Sequence, residues 1–584
     1  MSQAPVVVRH TSGARPAAGE VRVVALQYGV TTNVEENLAK ALAMIDLAAA
    51  ESPDVVLTVE FANHVSWYDD RDQVLAAAIT LDGPWIAQVG AKAKEHGFWI
   101  MLNGIVRREG ERVTGSNLLF NPQGELVSQS SKQVLMGSER LHFDAGDEIT
   151  PLAQTPFGLT GMYSCMDGVI NETPRSLAVR GARVLLNSIN SFAPDEASLH
   201  VPVRAAENKV WVVSANKVDY LVPDGPRQKV AAALMADEET LRGSGESMVV
   251  APDGRIVAVA PRVGDAILVV DLDPSEADDK SRPDGTDIMA MRRPEIYAPI
   301  AAAPTGRTHP AGTASLSSAV LQTAADGEAA IAEAAALARE AADNGVQLLV
   351  LPELFCFDGG LVGDLDAAAA TGRSDAAIAA LQEAVSGTDA VVVTSLAIDG
   401  THAGVVIGSV GVLARQPQLH RIERHSGWVR TLGNAIEVLQ LPWGRLAVIV
   451  GDDSIVPEAF RLAALQDADV VAVPLDVQEK WELETGLRER AAENRVNLVA
   501  ASRASIGGGS YAVPLVDFGM WRADRKERFD GVISCPEVVK IAPGAGVSVV
   551  ELHPSEASNR MVTRDTDLVD GRPWQLLAPL VTAL

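Results

Sequence analysis

Three residues with complementary chemistry stand at or near the ends of predicted strands. Glu60 directly follows the apolar run Val55–Val59, Cys165 ends the strand-like run Gly161–Cys165, and Lys132 lies in a loop between them in sequence. In open α/β sheets, ligand sites form outside the carboxyl ends of the strands. A carboxylate that deprotonates a thiol, with a cation that stabilises the thiolate and an oxyanion, would support nucleophilic catalysis.

Each of these residues, taken singly, also has a structural explanation. An unpaired cysteine usually packs as a small buried hydrophobe. A glutamate after a strand often pairs with a cation or caps a helix, and a lysine in a loop is usually solvated. The assignment of chemistry therefore depends on the elements and spacings around the three residues.

Short aliphatic runs alternate with helical patterns along the first half of the chain, which predicts an α/β layered fold. The runs lack polar alternation, as expected of strands buried on both faces. The predicted strands are Val21–Leu26, Val55–Val59, Trp99–Val106, Gly161–Cys165, Arg183–Asn187 and Val210–Ala215, and the predicted helices are Asn33–Ala50, Ile86–His96 and Pro174–Arg180.

The chain repeats itself once. Arg204-Ala-Ala-Glu-Asn208 returns as Arg490-Ala-Ala-Glu-Asn494, an offset of 286 residues, and Val55 to Glu60 matches Leu348 to Glu353, an offset of 293. Matches in a constant order with slowly drifting offsets indicate a tandem duplication of one domain. The sequence thus predicts a flexible arm (1–20), a first copy (21–300), a linker rich in Ala, Pro, Gly and Thr (301–313) and a second copy (314–584).

The first copy resembles the carbon–nitrogen hydrolase (nitrilase/amidase) superfamily over about residues 21–297. Glu60 matches the family's glutamate segment, although Val59 stands where proline is common, and Asn171 replaces a usual proline after the cysteine. Several landmarks in one order make the resemblance specific. The matching residues are Glu60, Lys132, Glu139, Phe143, Gly146, Cys165–Glu172, Arg175, Arg180, Arg204, Glu207, Asn208, Asn216, Gly245, Ser247, Pro252, Gly254 and Arg293–Tyr297.

The resemblance implies an αββα sandwich with a Glu-Lys-Cys triad and with no metal or organic cofactor. Glu60 would act as general base, and Cys165 as the nucleophile that forms a thioester. Lys132 and the backbone N–H of Met166 would hold the oxyanion, and Glu139 would orient the lysine and the substrate. Loss of one oxyanion donor typically lowers the rate by about 10²–10³.

The sequence around the cysteine favours amides as substrates. Cys165-Met-Asp-Gly168 resembles the aliphatic amidase and formamidase branch, whereas true nitrilases usually carry Cys-Trp-Glu. Asn190 and Phe192, just after a predicted strand, are the expected substrate contacts. N-carbamoyl hydrolysis, nitrile hydrolysis and acyl transfer from the thioester stay open, as does a non-catalytic binding or scaffold role.

The second copy keeps a glutamate, Glu353, but lacks the cysteine and the lysine. The offset of 286 places Gly451 where Cys165 stands, and no lysine occurs between Lys280 and Lys480, so Arg421 is the nearest replacement cation. Cys356 follows Glu353 in the wrong segment and is expected to pack in the core. We expect a catalytically inactive copy that covers the first one as an intramolecular pseudo-dimer. Binding of a regulator in its pocket is the alternative, and further homo-oligomerisation stays open.

Composition restricts the setting. The net charge of −27 argues against a nucleic-acid or anionic-membrane partner, because such partners need a basic surface. Three cysteines cannot form a disulfide framework, which favours the cytoplasm. No apolar run reaches the roughly 18 residues of a membrane span. The ten histidines show no metal-ligand spacing. The segment Val218–Arg242 is longer than the family requires and is interpreted either as a lid or as a surface excursion.

Overall fold

The computed structural model describes residues 4–503, 509–516, 528–534 and 537–583. The first copy is built on two facing sheets, most of whose strands are buried. One sheet has the strand order Val6–His10, Ala266–Leu272, Val21–Gln27, Val55–Leu57, Trp99–Arg107, Val113–Phe120 and Leu126–Ser131. The other has the order Ile256–Val259, Met248–Val250, Trp211–Asn216, Val184–Ile189, Gly158–Ser164 and Ala153–Thr155.

Helices cover the outer faces of both sheets. Val34–Ala49 and Pro84–His96 pack on the first sheet, while Glu172–Val179 and Val201–Ala206 flank the second. Between the sheets, aliphatic side chains of both inner faces form one core. The aliphatic runs of the sequence are therefore explained by burial on both faces, and the copy is an αββα sandwich. Shorter helices are Arg71–Ala77, Glu139–His142, Met166–Val169 and Asp224–Ala233.

The second copy repeats this plan in the described residues. One sheet has the strand order Gly411–Pro417, Thr401–Gly408, Val391–Ile398, Leu348–Glu353, Leu316–Gln322 and Gly546–Leu552. The other has the order Val438–Leu441, Gly444–Val448, Val470–Pro474, Asn497–Ala501, Tyr511–Val513 and Val539–Lys540. Its helices include Ala330–Asp343, Ala367–Ala384, Pro457–Leu465, Leu487–Asn494 and Ala578–Val581.

The two copies pack against each other through equivalent helices. Arg175 of the first copy pairs with Glu458 of the second at 3.0 Å, and Arg461 of the second pairs with Glu172 of the first at 2.7 Å. The offset of 286 relates Arg175 to Arg461 and Glu172 to Glu458, so each ion pair is the counterpart of the other. Such reciprocal contacts characterise a two-fold dimer interface. The chain is thus an intramolecular pseudo-dimer, as predicted.

The first twenty residues are not the loose arm that their composition suggested. Val6–His10 is an edge strand parallel to Ala266–Leu272, and Arg9 forms an ion pair with Glu51 at 2.6 Å. Three consecutive valines, Val6–Val8, next to an open sheet edge explain the difference, because pairing satisfies backbone groups that an arm would leave to water. Between residues 302 and 315 there is neither helix nor strand. None of the helices in the described residues is both long and apolar enough to span a bilayer.

Candidate active site

Glu60 and Cys165 converge on the carboxyl end of one strand, Val184–Ile189. The backbone N–H of Glu60 donates to the Ile189 carbonyl at 3.4 Å, and that of Cys165 donates to the Ser188 carbonyl at 3.1 Å. The two residues come from different sheets, and neighbouring residues of one strand hold both of them. The sandwich therefore brings the carboxylate and the thiol to the same place, as the strand-end argument predicted.

The backbone at Cys165 has an uncommon conformation that presents the thiol. Its φ is +46° and its ψ is −108°, in a region that residues with a side chain rarely adopt. Such strain costs about 1–3 kcal/mol and persists only where surrounding contacts hold it. Here the Asn187 side-chain oxygen accepts from the Cys165 N–H at 3.1 Å. The turn ends at the short helix Met166–Val169, so the Met166 N–H lies at a helix start.

Lys132 lies between two carboxylates. Its ammonium group donates to Glu60 Oε1 at 2.9 Å and to Glu139 Oε1 at 3.0 Å. Glu139 is itself held by the Met136 N–H, which donates to Oε2 at 2.8 Å. Within the described chain, the other oxygen of Glu60, Oε2, is buried and has no hydrogen-bond partner. The lysine is thus fixed in place, while one oxygen of Glu60 stays available for a proton.

Burial sets the charge states of this group. It raises the pKa of Glu60, and the nearby Lys132 ammonium only partly opposes that effect. Burial, together with the negative charge of Glu60, raises the pKa of the Cys165 thiol well above its usual value. For Lys132, burial lowers the pKa, but Glu139 and Glu60 outweigh it and raise the pKa well above the usual value. The resting site therefore holds a neutral thiol beside a permanent cation.

Asp167, two residues after the cysteine, positions the lysine loop. Its Oδ1 accepts from the backbone N–H groups of Gln133 at 3.0 Å and Val134 at 2.8 Å. Burial raises the pKa of Asp167 to about 7. The aspartate of the Cys-Met-Asp-Gly sequence thus connects the cysteine loop to the segment that carries Lys132.

The two expected substrate contacts lie in different surroundings. Asn190 follows Ile189 directly, and its side-chain oxygen is buried without a partner among the described residues. Phe192 packs edge-on against Phe529 of the second copy, with ring centroids 5.9 Å apart. Asn190 therefore offers a free acceptor close to the strand end that holds Glu60. Phe192 lies where the first copy contacts the second.

Two buried ionisable residues at this site were missed by sequence reasoning. Lys217 lies with its ammonium 5.8 Å from the centroid of the Phe61 ring, and the Lys132 ammonium lies 5.3 Å from the same ring. Burial lowers the pKa of Lys217 to about 7. Glu196 Oε1 lies 3.9 Å from the Cys165 sulfur, and burial raises its pKa to about 7. Lys217 directly follows the landmark Asn216, which was the available signal; Glu196 had none.

The second copy contributes backbone and hydroxyl groups to the loops of this site. The N–H groups of Ile533 and Ser534 donate to the carboxylate of Asp195, the latter at 2.9 Å. Thr566 accepts from the Gly137 N–H at 2.9 Å and donates to the Leu135 carbonyl at 3.1 Å. These contacts fix the loops that follow Lys132 and Phe192.

Comparison with known proteins decides the family. The carbon-nitrogen hydrolase family model matches residues 20–281 and again residues 313–515. The chain belongs to the carbon–nitrogen hydrolase family. A nitrilase of Pyrococcus abyssi is 25% identical over 264 residues, which are 45% of this chain and 93% of that protein. An N-carbamoylputrescine amidase of Solanum lycopersicum is 23% identical over 290 residues, 47% of this chain and 93% of that protein.

A solved amidase from Nesterenkonia sp. is 22% identical, with a TM-score of 0.38, and the match covers 46% of this chain and 96% of that one.

The second carbon–nitrogen hydrolase copy has a different set of side chains at the equivalent positions. The backbone N–H of Lys132 donates to the Gly115 carbonyl. At the same place in the fold of the second copy, the backbone N–H of Gln418 donates to the His402 carbonyl. Gln418, and not Arg421, therefore replaces the lysine, and Arg421 is exposed. His425 follows Gln418 by seven residues, as Glu139 follows Lys132, so His425 occupies the position of Glu139.

Glu353 keeps the position of Glu60 but not its environment. Burial raises its pKa, but Arg424 and His425 outweigh that effect and hold it at about 2. Gly451 has a φ of +53°, so the unusual backbone of the cysteine turn is kept without a thiol. Cys356 is buried in the helix-covered core of this copy, as predicted, and Cys535 lies outside the described residues.

Proposed function

We propose that the first copy hydrolyses the C–N bond of a small amide through a thioester on Cys165 and releases ammonia or an amine. The observation that carries the proposal is that the two carboxylate oxygens of Glu60 have different surroundings. Lys132 binds Oε1, while Oε2 is buried without a partner in the described chain. A carboxylate in this state can accept the thiol proton, because burial favours its protonated form.

The steps follow from this arrangement. Glu60 Oε2 takes the proton of Cys165 as the sulfur forms a bond to the amide carbon. The carbonyl oxygen becomes an oxyanion beside the Lys132 ammonium and the Met166 N–H, both of which are donors in a buried site. Glu60 then gives the proton to the nitrogen, the C–N bond breaks, and ammonia or an amine leaves.

The second half-reaction uses the same base. Glu60 deprotonates a water molecule that attacks the thioester, and the carboxylic acid leaves as the thiol is restored. The Asn190 side-chain oxygen is suited to accept from the amide N–H of the substrate. The second copy, which has Gly451 in place of the nucleophile, takes no part in turnover and acts as an internal partner that fixes the loops of the first site.

An ammonia-release screen of the full chain tests the proposal. Primary aliphatic amides and formamide should be turned over, and N-carbamoyl amines and nitriles are the comparison substrates, because relatives of the chain carry those names. Cys165→Ala should abolish release from every substrate. Cys356→Ala is the matched control, since it removes a buried thiol outside the site. Release of ammonia by Cys165→Ala at the wild-type rate would contradict the proposal.

A further inference from the structure

The pocket of the second copy contains, beside the carboxylate inherited from the duplication, two histidines that the duplication alone does not explain. Glu353, His402 and His425 are each at most 1% exposed, and their ligand atoms all lie within 4.8 Å of one another. His425 Nε2 lies 2.7 Å from Glu353 Oε1, and the two imidazole rings approach to 4.8 Å between centroids. The first copy has Gly115 and Glu139 at the two histidine positions, so the change is specific to this copy.

The position of the lost nucleophile leaves room beside the carboxylate. A Cβ atom at Gly451 would lie 2.4 Å from Glu353 Oε2 and 3.3 Å from a ring carbon of His402. Glycine is therefore the residue that permits this arrangement of Glu353 and His402. The pocket has been rebuilt around new polar side chains, with the loss of the thiol as part of the change.

Hydrogen bonds around His402 leave one of its ring nitrogens suited to a metal. Gln418 donates its side-chain N–H to the Val450 carbonyl at 3.5 Å, which turns its oxygen toward His402 Nδ1 at 3.1 Å. Nδ1 must then carry the proton, so Nε2 presents a lone pair. That lone pair accepts from the Ser395 hydroxyl at 2.9 Å, a hydrogen bond that a metal ion would replace. Histidines that bind metals usually donate their second N–H to an oxygen in this way.

The charges of the pocket accommodate a dication. Arg424 lies 3.4 Å from Glu353 Oε2, and the carboxylates of Asp452 and Asp476 lie 2.6 Å and 3.6 Å from its guanidinium. Asp452 also pairs with the buried Arg282, which Glu482 binds at 2.5 Å. The carboxylates therefore outnumber the two arginines. Glu353 Oε1 is not bound by Arg424 and faces His425 at 2.7 Å. Two imidazoles and one carboxylate are a known ligand set of Zn²⁺.

We infer that the second copy binds one divalent transition-metal ion of the Zn²⁺ class through Glu353, His402 and His425. Zinc ligands lie roughly 2.0–2.2 Å from the ion, which places tetrahedral ligands roughly 3.4 Å from one another. On binding, His425 Nε2 and Glu353 Oε1 therefore open from 2.7 Å, while more distant ligand pairs close from at most 4.8 Å. The fourth tetrahedral position is left to water. The ion takes the place of the proton between His425 Nε2 and Glu353 Oε1, and His425 keeps a proton on Nδ1 as a neutral ligand. The inference concerns the second copy alone and is independent of turnover by Cys165.

Metal retention by the full chain tests the inference. The protein is stripped with a chelator, incubated with Zn²⁺ alone, dialysed and analysed for zinc. Wild type should retain one equivalent of zinc, and His425→Gln should retain at least tenfold less. The matched control is His96→Gln, because Asp46, Glu95 and His96 form a second cluster of possible ligands, which Lys92 already bridges at the surface. Its zinc content should equal that of wild type.

A second measurement separates metal loss from misfolding. Co²⁺ added to the stripped wild-type protein should give the visible absorption of a tetrahedral site, and Glu353→Gln should weaken it while the circular dichroism spectrum stays that of wild type. Absence of retained metal in wild type would overturn the inference. So would retention that His425→Gln leaves unchanged or that His96→Gln abolishes.

Discussion

The buried ion pairs between the two copies should stabilise the pseudo-dimer. A substitution at Glu458 tests their contribution to the free energy of unfolding most directly. Glu458 is 1% exposed, and its Oε1 accepts from Arg175 at 3.0 Å and from Arg292 at 3.1 Å. Burial raises its pKa, but Arg175 and Arg292 outweigh burial and lower it to about 2, from an ordinary value of 4.5.

This shift sets the expected magnitude. One pKa unit is worth about 1.4 kcal/mol, so a fall from 4.5 to about 2 corresponds to about 3 kcal/mol of stability at pH 7. Removal of one partner of a buried pair costs about 3–5 kcal/mol for a related reason, because it leaves the other charge uncompensated. Glu458→Gln should therefore lower the free energy of unfolding by about 3 kcal/mol at pH 7.

The pH dependence has a definite sign. Because the folded pKa lies below the unfolded one, the contribution of Glu458 is fully present above pH 4.5 and is lost as the pH falls toward about 2. The gap between wild type and Glu458→Gln should shrink over that range.

Urea unfolding followed by tryptophan fluorescence measures the gap. Asp278→Asn is the control, because Asp278 forms a solvent-exposed pair with Arg183 at 2.6 Å, and such pairs contribute about 0–1 kcal/mol. If Glu458→Gln and Asp278→Asn unfold at the same urea concentration, the reasoning about the interface is refuted.

Three further predictions concern the site and the second copy. Glu196→Gln removes a negative charge that raises the pKa of Cys165, so alkylation of this thiol by iodoacetamide should become faster at pH 8; an unchanged or slower rate would contradict the assigned electrostatics. Residues 1–300 expressed alone should aggregate, self-dimerise or lose activity, since their interface arginines and glutamates lose their partners; a soluble, monomeric and fully active fragment would refute the pseudo-dimer's role. Cys356→Ala should keep wild-type turnover in the ammonia assay, because this thiol packs in a distant core; a large loss would show that the assignment of the nucleophile is incomplete.

The parts of the fold that sequence predicted are those with a strong local pattern. Strands buried on both faces leave uninterrupted aliphatic runs, so Val21–Gln27 and Trp99–Arg107 were placed within one residue. The edge strand Val6–His10 was missed because its valines follow a polar start and its partner strand lies 260 residues away. Duplication placed Glu353 and Gly451 correctly because the offset is nearly constant between the copies.

The side chains that sequence did not place are brought together by tertiary structure. His402 lies on a strand and His425 in a turn, and neither spacing from Glu353 is that of a metal motif. The sequence pointed to Arg421 and not to Gln418, because the nearest cation to the position of Lys132 need not share its backbone hydrogen bonds. Glu196 reaches the thiol from a short π-helical turn, Glu196–His200, which no periodicity predicts.

The mass of the intact protein during turnover tests the central claim most directly. Full-length enzyme quenched in acid while it hydrolyses an amide should carry an acyl adduct on Cys165, and the adduct should be absent from Cys165→Ala. Slower release is expected of Glu60→Gln, in which any adduct that forms should persist, because the same carboxylate activates the water. An adduct mapped to another residue, or turnover by Cys165→Ala, would contradict the account.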